Sequence, residues 1–113
     1  MKYKLTDEKI IDGITFYQIE ALKDFGFVSK GGKGGYISKE KNLAQSGGAW
    51  VFDNAKVSGD AQVYGDARVS GNAWVSGDAR VYSNAKVFDN AWVSGDAQVY
   101  GDASVYDYAN VSA

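Results

Sequence analysis

The sequence predicts an all-β protein: a parallel β-helix with three hexads per 18-residue coil behind a small N-terminal β-hairpin cap. Two observations carry this. From Ala49 a six-residue unit repeats without a slip, with alanine at 49, 55, 61, 67, 73, 79, 85, 91, 97, 103 and 109 and a valine two residues after each. A second period of 18 residues lies over the first. The residues that follow the valines form three columns: Ser58, Ser76, Ser94 and Ser112; Tyr64, Tyr82 and Tyr100; and Phe52, Ser70, Phe88 and Tyr106.

Each hexad reads as a short strand and a corner. Alanine and valine two residues apart point to the same side of an extended strand, so they form the inner face. The Gly-Asp, Gly-Asn and Asp-Asn pairs that follow are turn formers that tolerate positive φ. One such strand cannot bury its own apolar pair, whereas stacked coils shield one another. Three hexads per turn make a triangular prism with columns aligned at the strand spacing of about 4.8 Å. From Ala49 onward that gives about three and a half coils. Period six rotates alanine and valine around an α-helix, and the valines and Gly-Asp pairs also oppose one.

Residues 1–48 break the pattern and are read as a β cap with a first irregular coil; residues 49–113 are the repeat itself. Asp12-Gly13 between Ile10-Ile11 and Ile14 is a hairpin signal. Gly31-Gly32-Lys33-Gly34-Gly35 is read as a sharply turning loop, because it lacks the Gly-Lys-Ser/Thr ending of a phosphate-binding loop. A cap is needed because an open coil end exposes unpaired backbone groups.

Composition limits function. The chain of 113 residues has no cysteine and no histidine, so it has neither disulfides nor the commonest metal ligand and general base. No cofactor and no metal are expected. The column Asp60, Asp78 and Asp96 is read as carboxylates bonding turn backbone, with cation binding as the alternative. Residues 1–48 carry eight Lys against six Asp and Glu, and residues 49–113 carry four Lys and Arg against eight Asp. Neither balance argues for nucleic acid. No apolar stretch approaches a membrane span and the start lacks a signal peptide, so a cytoplasmic location is expected.

Val-Ser-Gly-Asp-Ala-Gln at 57–62 fits the aliphatic-x-x-x-small-x hexad of the left-handed parallel β-helix proteins, which the chain resembles. The left hand is what that resemblance implies. A second resemblance rests on Asp24-Phe25-Gly26, Gly34-Gly35-Tyr36-Ile37, Asn42-Leu43, Gln45-Ser46-Gly47 and Trp50-Val51, followed by Ala-x-Val-x-Gly-Asp repeats. This pattern is similar to a group of bacteriophage and prophage proteins, related to bacterial proteins with longer arrays named as transferases. The acyltransferases of this fold typically use a histidine base, and its carbonic anhydrases hold zinc with three histidines. Both groups are missing here, so the chain is not expected to be an enzyme.

The surface expectation is aromatic. Trp50, Trp74 and Trp92 fall at outward positions between alanine and valine, Tyr64, Tyr82 and Tyr100 line another side, and Phe52, Phe88 and Tyr106 the third. The expected interface is the side where Trp74 and Trp92 are flanked by Ser76 and Ser94, in a parallel homotrimer. The leading function is a non-catalytic phage-type structural or interaction module that binds a bacterial host protein, such as a defence component. The alternatives are a protein that sequesters a nucleotide-like ligand, with Lys56, Arg68, Arg80 and Lys86 as scattered charges near the aromatics, and a degenerate acyltransferase scaffold.

Overall fold

The computed structural model describes residues 1–112. The chain opens with β1 (Tyr3–Ile11) and β2 (Ile14–Ala21), an antiparallel hairpin in which Ile11 faces Ile14. Asp12 and Gly13 have φ of 52° and 77°. Two positive φ values at the centre of a two-residue loop match the twist of the flanking strands, as Asp-Gly predicts. Then come β3 (Lys33–Ile37), a 3-10 turn (Glu40–Asn42) and β4 (Trp50–Val51). The repeat supplies β5 (Lys56–Val57), β6 (Gln62–Val63), β7 (Arg68–Val69), β8 (Trp74–Val75), β9 (Arg80–Val81), β10 (Lys86–Val87), β11 (Trp92–Ser94), β12 (Gln98–Val99), β13 (Ser104–Val105) and β14 (Asn110–Ser112).

These strands make three faces. One sheet runs β1-β2-β3-β5-β8-β11-β14, a second β6-β9-β12, and a third β4-β7-β10-β13. Within the repeat every pairing is parallel and joins residues 18 apart, such as Val57 with Val75 and Val75 with Val93. The result is a three-sided parallel β-solenoid of about four coils, consistent with the expected left-handed β-helix. The alanines and valines from Ala49 to Val99 are all buried and form one continuous core.

The corners explain the fifth position of the hexad. From Asp53 to Asp107 that residue is always glycine, aspartate or serine, and its φ lies between 56° and 70°. The next alanine N–H closes the turn on the carbonyl three residues back, as in Ala55 to Phe52 at 3.1 Å and Ala73 to Ser70 at 3.2 Å. Positive φ at the second residue of such a turn is the type II′ pattern, which small or Asx residues tolerate.

The first coil starts earlier than the alanine series. Ile37 pairs with Val57 and Leu43 bridges to Val63, so both occupy valine sites, and Gly35 takes an alanine site. The Gly31–Gly35 run is therefore a loop only in its first half. Lys33, Gly34 and Gly35 belong to β3, and at Gly34 and Gly35 only a residue without a side chain fits so close to the neighbouring chain. In place of a second glycine turn this coil uses Asn42, which is fully buried. Its amide donates to the carbonyls of Gly59 at 3.2 Å and Ala61 at 2.9 Å, while its Oδ1 accepts from the Ser38 and Lys39 backbone N–H groups.

The cap is fastened by Lys2 and Tyr3. Lys2 is 1% exposed, and its ammonium donates to the carbonyls of Ser46 (3.4 Å), Gly47 (3.3 Å) and Ala49 (2.8 Å). Burial first, and Lys23 second, pull its pKa down to about 8, with Asp66 opposing. The unfolded chain then holds this proton up to about pH 10.5 while the folded chain releases it near 8. Between these values the unfolded state binds more protons, so stability rises with pH. Burial raises the Tyr3 phenol, so ionisation in the unfolded chain lowers stability again above pH 10. The unfolding free energy is expected to rise from pH 7 to 9.5 by about 1–2 kcal/mol, raising the urea midpoint, and Lys2→Met should flatten the rise. A wild-type midpoint that falls over this interval would show that the three carbonyls hold the ammonium more tightly than burial expels it.

Candidate functional site

Three outer columns carry the side chains that a partner would meet. On the first face the Trp74 and Trp92 indoles stack with centroids 5.1 Å apart and planes 1° apart. Each indole N–H donates to the serine of the preceding coil: Trp74 to Ser58 at 3.0 Å and Trp92 to Ser76 at 3.3 Å. The 18-residue register builds this ladder, since Trp92 pairs with Trp74 and Trp74 with Lys56. The two rings differ in access. Trp74 is half-buried, with Phe16 of the hairpin edge-on at 5.7 Å and the Lys56 ammonium 5.7 Å from its ring. Burial, then Lys9, lowers the pKa of Lys56, with Asp12 opposing. Trp92 is 44% exposed. A recess beside it is lined by Ser76, Ser94 and Asn110.

On the second face Tyr64, Tyr82 and Tyr100 stack at 5.0 and 5.5 Å, and the Tyr82 hydroxyl donates to Gln98 at 3.1 Å. Asp60 opens the neighbouring corner column. It accepts from Lys39 at 3.0 Å and Lys41 at 3.1 Å, and these bonds lower its carboxyl pKa. Asp60 thus differs from the expectation that the Asp60, Asp78 and Asp96 carboxylates bond turn backbone, because two lysines of the first coil reach it. That role falls to a different corner: Asp53 accepts from the Gly71 N–H and Asp89 from the Asp107 N–H, both at 3.1 Å. The second column needs positive φ at the aspartate itself, which brings its carboxylate over the next coil. Among the described residues no three His, Cys, Asp or Glu come together as a metal site.

On the third face Phe88 stacks on Tyr106 at 5.4 Å, but Ser70 stands between Phe88 and Phe52 and breaks the ladder. Arg68 and Lys86 are direct partners on β7 and β10 of this face, not scattered charges. The signal was present in the sequence, because the two residues are one 18-residue period apart. Among the described residues neither has a carboxylate within ion-pair distance. Arg68 lies over the Phe27 ring at 4.5 Å.

Trp50 departs from the outward reading. Its side chain does leave the prism, but the cap closes over it, leaving it 2% exposed between Tyr3 (centroids 6.1 Å apart) and Phe25 (5.2 Å). Trp74, Trp92, Ser76 and Ser94 do share one face, and the tyrosines share another; Phe52 and Phe88 line one groove without touching across a single rung.

Fold and ladders together define a β-solenoid repeat protein, and sequence comparison agrees. The family model described as YdcK Beta solenoid repeat matches residues 61–77. A protein named Uncharacterized acetyltransferase YdcK, from Escherichia coli (strain K12), is 37% identical over 82 residues, covering 64% of this chain. The alignment covers 25% of that relative, so the chain spans about a quarter of its length. No helix among the described residues is long and apolar enough to cross a membrane.

Proposed function

We propose that the chain is a non-catalytic interaction module of the phage and prophage type. In this reading it self-associates as a parallel homotrimer through the tryptophan face, works in the bacterial cytoplasm, and offers its other faces to a host protein, with a defence component as the partner class. One observation carries the self-association: Trp92 is an exposed ring directly beside the recess formed by Ser76, Ser94 and Asn110. A projection and a socket on one face suit copies arranged around a closed axis. Trp74 supports the ring from below and is covered by Phe16, so Trp92 is the residue that reaches a neighbour.

The relative's printed name contains acetyltransferase, which keeps a scaffold descended from such enzymes in view. Acyl transfer needs a base, and the chain offers no histidine and no thiol for it. Sedimentation equilibrium tests the module reading. Wild type is expected at three times the 12.2 kDa chain mass. Trp92→Lys should sediment as a monomer with its circular dichroism unchanged. A monomeric wild type, or a trimeric variant, would reject this face.

A further inference from the structure

We propose that the third face binds a nucleoside monophosphate whose base carries an amino group, with the base seated over Ser70. The site is independent of the self-association on the tryptophan face.

The case starts from a missing rung. The tyrosine ladder repeats at 5.0 and 5.5 Å, the tryptophan pair stacks at 5.1 Å and Phe88–Tyr106 at 5.4 Å. In the column Phe52, Ser70, Phe88 and Tyr106 the second member is a hydroxymethyl group. Phe52 and Phe88 are therefore two strand spacings apart, about 10 Å. A planar ring placed midway would sit about 5 Å from each, the separation every complete ladder of this protein adopts. A groove opens at this point, and Phe52, Ser70 and Phe88 line it.

Charge is arranged on either side of the gap. Along β7 and β10 of this face the order is cation, ring position, corner. Arg68 precedes Ser70 by two residues and Lys86 precedes Phe88 by two. Two residues along a strand advance about 7 Å to the same side of the sheet. Arg68 and Lys86 therefore form a pair of adjacent cations flanking the gap, with no carboxylate partner among the described residues. Phe27 holds the guanidinium from the cap side. An anion attached to the seated ring through a sugar would meet both.

The corner on the opposite side carries Asp53 and Asp89. Each uses one oxygen to accept from the backbone N–H of the next coil, at 3.1 Å in both cases. The other oxygens remain as acceptors at the ring's far edge, where an amino group donates well and an anion is repelled. This polarity orients the ligand, with phosphate toward Arg68 and Lys86 and amino edge toward the carboxylates. Stacking of a base on aromatic side chains and phosphate pairing with Arg and Lys are both established modes of nucleotide recognition.

Isothermal titration of the full chain with AMP tests the site, with adenosine, IMP and inorganic phosphate as comparisons. AMP is expected to bind with a Kd below 1 mM. Adenosine should bind at least tenfold more weakly for want of the phosphate, and IMP more weakly for want of the amino group. Ser70→Tyr supplies the missing ring, so it should abolish AMP binding while raising the melting temperature by completing the ladder. Arg68→Gln with Lys86→Gln should reduce AMP to the affinity of adenosine without altering the fold, and it serves as the blocking variant if Ser70→Tyr does not fold. Absence of AMP binding to wild type, or AMP binding that survives both variants, would overturn the proposal. Equal affinity for AMP and IMP would overturn the role given to Asp53 and Asp89.

Discussion

Trp50→Ala is expected to destabilise the protein by about 3–5 kcal/mol, the range for truncating a buried large aromatic. Trp92→Ala should cost about 1 kcal/mol. The two residues hold the same place in their hexads, so the difference isolates what surrounds them. Trp50 has Tyr3 and Phe25 edge-on against its faces, and the Lys2 ammonium lies 5.1 Å from the Phe25 ring. Tyr3 in turn donates its hydroxyl to the carbonyls of Glu40 and Leu43, which fixes the 3-10 turn of the first coil. Removing the indole leaves a cavity bounded by the hairpin, the loop at Phe25 and the first coil at once. Within one chain Trp92 has a ring on one side only and much of its surface free, so the comparison is made at dilutions where wild type is monomeric. Urea unfolding followed by far-ultraviolet circular dichroism compares the variants without relying on the lost fluorophore. Similar midpoints for the two would mean that the cap does not depend on Trp50.

The contrast between these tryptophans shows where sequence reasoning reaches its limit. The 18-residue period places inner, outer and corner residues correctly from Ala49 onward, because each coil is the same physical problem solved again. It also contained the Arg68–Lys86 pairing, which follows from the same arithmetic that aligned the serines. Whether an outward residue meets solvent is a different matter. It depends on what folds over it, and the hairpin covers Trp50 and Trp74 but not Trp92. No local pattern near Trp50 records the approach of Tyr3, 47 residues earlier. The first coil was obscured for another reason. Gly35 replaces alanine, Ile37 and Leu43 replace valine, and two extra residues lie between Leu43 and Val51, so the period fails although the geometry persists. Asn42 does with its side-chain amide what backbone turns do elsewhere. The Ser70 gap is visible as one serine in an aromatic column, yet only the rings of Phe52 and Phe88 on either side make that serine an opening.

Gly35→Ala is the second large effect expected, about 3 kcal/mol of destabilisation at the upper end of overpacking costs. The prediction runs against the repeat itself, since alanine occupies this site in every hexad from Ala49 onward. The difference is the distance to the next coil. A Cβ on Gly35 would stand 2.6 Å from the Ala55 carbonyl oxygen and 2.7 Å from Val51 Cγ1. The first of these atoms belongs to backbone that hydrogen-bonds the Tyr36 N–H at 2.9 Å, so it cannot move away without loosening β3 from the coil above. Gly34 is in the same position, with Val51 O and Ile19 Cγ1 both 2.6 Å from its added Cβ. The two glycines let β3 lie between the hairpin and the prism, and through them the cap joins the core. Gly101→Asn is the control. Gly101 has φ of 64° but nothing within 4 Å of an added Cβ, and asparagine tolerates that conformation. Its urea midpoint should stay near that of wild type, while Gly35→Ala falls well below it. A Gly35→Ala protein as stable as wild type would show that β3 can shift outward freely, and the cap would then be a loosely attached hairpin and not the first layer of the core.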